Sequence, residues 1–410
     1  TLGASGDTIN LASGASQSGF GRTGTVDWQT GSIKTGTFTA VNGEGYFVDT
    51  SGGVSIANLP AGSAGAIVSF ADYTRTFQTN NLTITPNGSE KVGGVAANFV
   101  AQTEGQSITL VYVDATEGWI NTSESTGQAG LDPTFITATG GTITCSGDYK
   151  IHKFTGPGTF TVCSVGNPLG STSVDYLVVA GGGGGANPPQ GAGGGAGGFR
   201  LSNSTCMPAP QTSPLANPTG VPVSVQSYSI TVGGGGSACT QGSNSIFSTI
   251  TSTSGGSGAF PTASGGSGGG DGGLGNQPPV SPPQGSNGGG GNNSGGGGAS
   301  AVGGNFTAPK TGGVGGAGSF AVTTGFATPG EGTPGPVCGA RYFAGGGAGG
   351  YPVGSPSGSP GGVGGGGTGA EGGVSGGNGS ASTGGGGGGG GPGGTGSGGS
   401  GIVIIRYKFQ

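Results

Sequence analysis

Between residues 181 and 400 glycine is by far the commonest residue and supplies 81 of the 220 positions. The glycines gather in runs: 181–185, 191–198, 233–236, 288–291, 295–298 and 384–391. A lone glycine run is a flexible coil, and glycine loses more backbone freedom on folding than any other residue. Fixing each residue costs roughly 1–2 kcal/mol, and there is no side chain whose burial offsets it. Such a tract can order only if its backbones hydrogen-bond to one another. Polyglycine has a suitable form, an extended left-handed helix like polyproline II. It has about three residues per turn and a rise of about 3.1 Å, and its N–H and C=O groups all point outward. Inward positions would then require glycine, while outer positions would tolerate Ala, Ser or Pro, as the broken runs GAGGGAGG and GGVGGGGTG suggest.

Two features favour order over a coil. Strand-like segments return within and after the tract: VPVSVQSYSITV (221–232), SIFSTITST (245–253) and IVIIRYKF (402–409). The last needs a partner, and YLVVA at 176–180 is the obvious one, so the tract reads as an excursion from a β base that comes back to it. The glycine runs are also of similar length, as parallel rods in one layer should be. The collagen period is not kept, which excludes a triple helix.

Upstream, residues 1–20 read as a stalk or connector. Residues 21–122 read as a β-sandwich-like domain, because VDWQTGSI, GTFTAV, GYFVDT, GAIVSFAD, NNLTITP and SITLVYVD are short β-rich runs parted by Gly, Asn and Pro. Trp28, Phe47, Phe70, Tyr112 and Trp119 are expected in its core or at a subunit interface. Residues 123–134 read as a linker, 135–180 as a small β unit completed by 401–410, and 181–400 as the glycine-rich domain. No sustained helical period occurs, so the fold class expected is all-β with almost no α-helix.

Charged residues make up 7% of the chain and the formal net charge is −5. Nucleic-acid binding needs clustered cations, and the 11 basic residues are scattered. No stretch approaches the ~20 apolar residues of a membrane span. The opening at Thr1, without Met or a signal pattern, suggests a part of a longer protein. A zinc site is not expected from five cysteines without a CxxC and a single histidine, His152. Cys145 and Cys163, in TITCSG and FTVCSV, could face each other across a hairpin, either as a disulfide or as two small buried thiols. The many GxGxxG matches reflect composition, and GK[ST] is absent, so no nucleotide cofactor is expected. Asp72, Glu90, Glu104, Asp114 and Glu117 read as solvated strand ends rather than a glycosidase pair. His152 lies in the strand-like YKIHKF and reads as structural. No enzymatic activity is expected.

SVDYLVVAGGGGG and GGSGIVIIRYKF, with GDYKIHKFTGPGTFTV ahead of them, resemble the glycine-rich C-terminal domain of bacteriophage tail-fibre proteins. NGEGYFVDTSGG, FADYTRTFQTNNLTITPNGS and ITLVYVDATEGW resemble the β domain that precedes it in such fibres. The alternation of glycine runs and irregular loops is similar to the tip adhesins of T-even-type long tail fibres, in which packed polyglycine II helices carry host-binding loops at one end. The resemblance implies a homotrimeric virion component outside the cell. Its partners would be a bacterial surface glycan or outer-membrane protein and, through a missing N-terminal part, other tail proteins.

Counting runs outward and back from YLVVA makes 186–190, 237–243, 259–264, 276–284 and 351–360 the distal loops. Pro188, Gln190, Phe260, Thr262, Gln277, Pro278, Tyr351 and Pro352 are the candidate receptor-binding residues, acting through aromatic stacking and amide hydrogen bonds. The competing reading for Phe260 and Tyr351 is that of apolar plugs at the rod ends. Competing functions are an extracellular matrix or filament protein, an ice-binding protein with a flat face, and, weakest, a depolymerase.

Overall fold

The computed structural model describes residues 26–124, 133–167, 170–189, 191–202, 213–259, 261, 263–307, 311–322, 326, 331–351, 358–371 and 373–410. The expected stalk and most of the expected linker lie outside these. The described residues are all-β and contain no α-helix. The chain divides into two compact units, Thr1–Pro133 and Thr134–Gln410.

The first unit contains β1 (Asp27–Trp28), β2 (Thr37–Thr39), β3 (Glu44–Val48), β4 (Ser55–Asn58), β5 (Ile67–Asp72), β6 (Leu82–Thr85), β7 (Phe99–Ala101), β8 (Ser107–Asp114) and β9 (Gly118–Glu124). Its first six strands go alternately to two sheets, one ordered β1-β3-β5-β8-β9 and the other β2-β4-β6-β7. A chain that changes sheet at every turn places like-directed strands side by side. Hence β1, β3 and β5 are parallel, as are β2, β4 and β6, and the later strands close the sheets antiparallel. Short β runs parted by turn residues do not distinguish this coil from hairpins.

The period of two sets the core. Tyr46 and Val48 point inward, as do Val68 and Phe70 and likewise Ile108 and Leu110, together with Phe77, Phe99 and Trp119. Tyr112 packs against this cluster. Trp28 and Phe47 correct the core expectation. Phe47 is only half-buried on the opposite side of β3 from Tyr46, and Trp28 is exposed. Of the acidic residues, Glu104, Asp114 and Glu117 are exposed, Asp114 at the end of β8, whereas Asp72 and Glu90 are half-buried and bonded. Asp72 accepts the N–H groups of Thr76, Phe77 and Gly105, and Glu90 those of Gly62 and the Trp119 indole.

The second unit contains β10 (Thr137–Thr139), β11 (Thr142–Ser146), β12 (Tyr149–Phe154), β13 (Gly158–Ser164), β14 (Ser173–Val179), β15 (Phe199–Ser202), β16 (Ala216–Asn217), β17 (Val221–Pro222), β18 (Ser227–Thr231), β19 (Ser245–Phe247), β20 (Ile250–Ser252), β21 (Ser319–Val322), β22 (Ala340–Phe343) and β23 (Ile402–Lys408). The terminal strand β23 lies between β12 and β14, antiparallel to both, with Tyr176 opposite Ile405 and Val179 opposite Ile402. Both faces are covered. Tyr176, Val178, Val403 and Ile405 pack with Phe160 and Phe247, while Leu177, Val179, Ile402 and Ile404 pack with Phe199, Phe326 and Phe343. This explains the unbroken apolar runs of both strands.

Two polar features are buried in this base. Arg406 on β23 lies opposite Asp175 on β14 and bonds it at 2.7 Å, with both side chains excluded from solvent. The guanidinium centre lies 4.1 Å from the Phe326 ring centroid and 4.5 Å from that of Tyr149, each a cation–π contact. His152 is fully buried. Its Nδ1 lies 2.7 Å from the Gly140 carbonyl, which can only accept, so Nδ1 carries the proton and Nε2 accepts from the Tyr407 hydroxyl at 3.1 Å.

Burial pushes the His152 imidazole below its usual value, aided by the positive charge of Lys150 and opposed by the Gly140 bond. The unfolded chain therefore binds the proton more readily than the native one. Stability should be unaffected well above the free-histidine value of about 6.5 and should fall as pH drops through and below it. Thermal unfolding near pH 7.5 and near pH 5, with His152→Gln as reference, checks this, and a melting temperature higher in acid than at neutrality would contradict it.

Cys145 and Cys163 are free and exposed, which corrects both the disulfide and the buried-thiol expectation. Cys145 is on β11, which pairs with β12, and Cys163 is on β13, which pairs with β10 and β18, so no hairpin joins the two.

Between the strands, the glycine runs bond to one another with a repeat of three residues. In 181–186, Gly181 and Gly184 donate to Ser243 and Thr240, Gly182 and Gly185 to Gly399 and Gly396, and Gly183 and Ala186 to Gly195 and Ala192. In the same order, their carbonyls accept from Gly255 and Gly258, from Gly236 and Cys239, and from Gly387 and Gly390. The run thus bonds six neighbours. Runs 192–198, 344–350 and 384–390 interlock with it, through Gly194 to Gly387, Gly347 to Gly194 and Gly387 to Gly183, at 2.8–2.9 Å. A Cβ on Gly194 would lie 2.1 Å from the Gly183 carbonyl oxygen, so the spacing requires glycine there.

The rule that inward positions must be glycine is not absolute. Ala186, Ala192, Ala196 and Ala348 are fully buried. Ala196 packs in the apolar cluster of the base, and the buried Ser294 bonds the carbonyls of Gly289 and Gly291.

Candidate functional site

The bonds between runs define two ends of the second unit. Ala180 bonds Gly198 at the strand end, and Ala186 bonds Ala192 at the far end. Matching the remaining runs to these levels brings several segments to the far end: Asn187–Pro189, Asp271–Gly272, Gly291–Asn293, Asn305–Thr307, Tyr351, Glu371 with Gly373 and Val374, and Gly391–Gly394. Examples are the bonds Asp271 N–H to Ser294 Oγ and Gly313 N–H to the Asn293 carbonyl, both 2.8 Å.

Pro188 is exposed on this far face. Tyr351 is there too, half-buried and stacked on Phe306 with centroids 5.8 Å apart and planes 8° from parallel. Gln190, Phe260, Thr262 and Pro352 lie outside the described residues.

Gln277 and Pro278 do not join this face. The Gln284 carbonyl accepts from Phe199 N–H at the start of β15, and the Gln284 amide bonds Thr253 and the Pro278 carbonyl, so the whole loop 276–284 sits at the strand end. The outward-and-back count fails for a local reason. The leg returning from 259 passes through 263–265, and Asp271 and Gly272, with φ of 65° and 77°, reverse the chain within what reads as one glycine run.

Sequence reasoning missed Phe306 and Asn293. Phe306, in NFTAPK, is a lone aromatic between two glycine pairs, the same signal that singled out Tyr351. Asn293 adopts φ 61°, and a Cβ on Gly191 would lie 2.4 Å from its Oδ1, so its side chain packs against the Gly191 backbone.

The far face is tied together by short polar contacts. Glu371 accepts Gly358 N–H at 3.1 Å, Ser375 bonds the Gly393 carbonyl at 2.6 Å, and Thr307 and Thr311 exchange backbone bonds. It offers main-chain amides, Asn and Thr side chains, two carboxylates (Asp271 and Glu371) and one ring stack. Such groups suit hydrogen bonding and stacking to a ligand. His152 is in the strand base, with both ring nitrogens engaged. Among the described residues no cluster of His, Cys, Asp and Glu is arranged to hold a metal ion.

No curated protein matches the chain. Residues 154–408, from the end of β12 to the end of β23, match the model of a glycine-rich domain family. The match takes in β13 to β23 and the glycine runs between them, and the chain belongs to this glycine-rich domain family.

Proposed function

We propose that this chain is part of a bacteriophage tail fibre, outside the cell on the virion, and that its glycine-rich unit binds the bacterial surface through the turns of the far face. The runs are polyglycine II helices in a packed sandwich, and three chains associate in the fibre. One observation carries the reading. The three-residue repeat of bonds to six neighbours suits a helix with about three residues per turn and outward amides. A rigid bundle of this kind supports turns whose sequences are free to vary.

The partner is a surface glycan or outer-membrane protein, and the receptor contacts include Pro188, Tyr351 and Phe306. Other tail proteins of the virion are its further partners. Symmetric association would cover the exposed edges of the first unit's short sheets.

The test is binding of the labelled full-length chain to a panel of bacterial strains. Replacing 259–264 and 351–360 with Ser/Gly, or Phe306 and Tyr351 with Ser, should abolish binding or change the strains bound while the melting temperature stays within a few degrees. Sedimentation should give three copies. Binding that persists unchanged on the same strains after both replacements would refute the assignment of the far face.

A further inference from the structure

On the first unit, three aromatic rings cross three adjacent parallel strands on the outer face of the five-stranded sheet. Trp28 is on β1, Phe47 on β3, and Tyr73 directly follows β5, its N–H bonded to the Val48 carbonyl at 2.9 Å. The Trp28 and Phe47 ring centroids are 4.9 Å apart, and those of Phe47 and Tyr73 are 6.4 Å apart. Trp28 is 37% and Tyr73 57% exposed. Gly45 gives the indole its seat: a Cβ there would lie 2.8 Å from the Trp28 ring, so the indole spreads over bare backbone and keeps one face in solvent.

A carboxylate borders the strip: Asp49, which directly follows β3, accepts the Thr74 hydroxyl at 3.0 Å and Ser51 N–H at 2.8 Å. Hydrogen bonds from Ser51 and Thr74 hold the Asp49 carboxyl below the usual carboxylate range.

We infer that this strip is a saccharide-binding platform for an uncharged glycan. Hexopyranose rings present C–H faces that stack on aromatic rings, and their hydroxyls donate to a flanking carboxylate, here Asp49. The same carboxylate repels uronates, sulfated sugars and other anionic glycans, as does the charge balance of residues 1–133, with eleven acidic residues and four basic ones.

Area argues against a second copy of the chain as the occupant. Aromatic side chains bury about 150–250 Å² each, so at these exposures the strip offers on the order of 250 Å², against about 800 Å² per partner in a stable protein interface. The site is separate from the far-face turns and stands or falls independently of them.

Trp28 and Trp119 are the only tryptophans, and Trp119 is fully buried, so acrylamide quenching of the full chain reports Trp28. Maltohexaose, mannohexaose and chitohexaose, each at millimolar concentration, are the probes, with dextran sulfate as the anionic comparison. At least one neutral hexasaccharide should protect Trp28, and dextran sulfate should not. Tyr73→Ala should weaken that protection about tenfold, equivalent to about 1.4 kcal/mol, with the melting temperature unchanged. The inference is overturned if no neutral probe protects, if dextran sulfate protects equally, or if Tyr73→Ala leaves the affinity unchanged. It is also overturned if Trp28 is protected without sugar by self-association that Tyr73→Ala abolishes.

Discussion

Gly194→Ala is expected to destabilise the glycine-rich unit by about 3 kcal/mol or more, while Gly234→Ala leaves it within about 0.5 kcal/mol of the parent. The chemical change is the same, one methyl group, and only the surroundings differ. At Gly194 the added carbon meets backbone at 2.1 Å and 2.7 Å, from Gly183, which is itself locked among six neighbouring runs. Nothing flexible can give way, so the runs must part. Each interrun bond lost costs about 1 kcal/mol net, and more where a buried amide is left without a partner. At Gly234 the added carbon has nothing within 4 Å. There, alanine also reduces the freedom of the unfolded chain, which offsets any small loss. Thermal and denaturant unfolding of the two variants checks the contrast, and equal effects would mean that the runs are not in close contact.

Arg406→Ala is expected to cost about 3–5 kcal/mol, because it leaves Asp175 charged and buried without its partner. The effect should not be that of a lost surface ion pair, since the two side chains are 2% and 3% exposed. The double variant Asp175→Leu/Arg406→Leu should recover most of the loss. The residual difference would reflect register: β14 and β23 are otherwise near-uniform apolar runs, and a slip by one residue would turn every side chain to the wrong face. Asp175 opposite Arg406 is the polar pair that distinguishes the native alignment. Denaturant midpoints for the single and double variants test this. A double variant no more stable than Arg406→Ala would contradict the account.

The all-β class and the return of the chain to its base are legible in the sequence because the signals are strong and local. An apolar strand such as IVIIRYKF at the end of a glycine tract needs an apolar partner, and YLVV is the matching run. Even Arg406 could be anticipated, since a charge within one buried run calls for an opposite charge in the other, and SVDYLVV carries it.

The far face was only partly legible. Run counting depends on every reversal being visible, and the turn at Asp271–Gly272 is made by left-handed backbone inside a glycine-rich stretch, with no Pro or bulky residue to mark it. Gln277 and Pro278 were misplaced for that reason. In the first unit the short β-rich runs mark the strands, but nothing local shows that successive strands belong to different sheets. Trp28 therefore reads as a residue of the core or of a subunit interface, and it lies outside the core, over Gly45.

Residue-resolved amide hydrogen exchange of the full chain at neutral pH tests most directly whether the glycine runs satisfy one another through their backbones. The amides of Gly183, Gly194, Gly347 and Gly387, each donating to another run, should exchange several orders of magnitude more slowly than an unstructured glycine peptide, and as slowly as those of β14 and β23. Exchange at those four glycines at the rate of the free peptide, with the strands still protected, would contradict the packed architecture and leave only the β base standing.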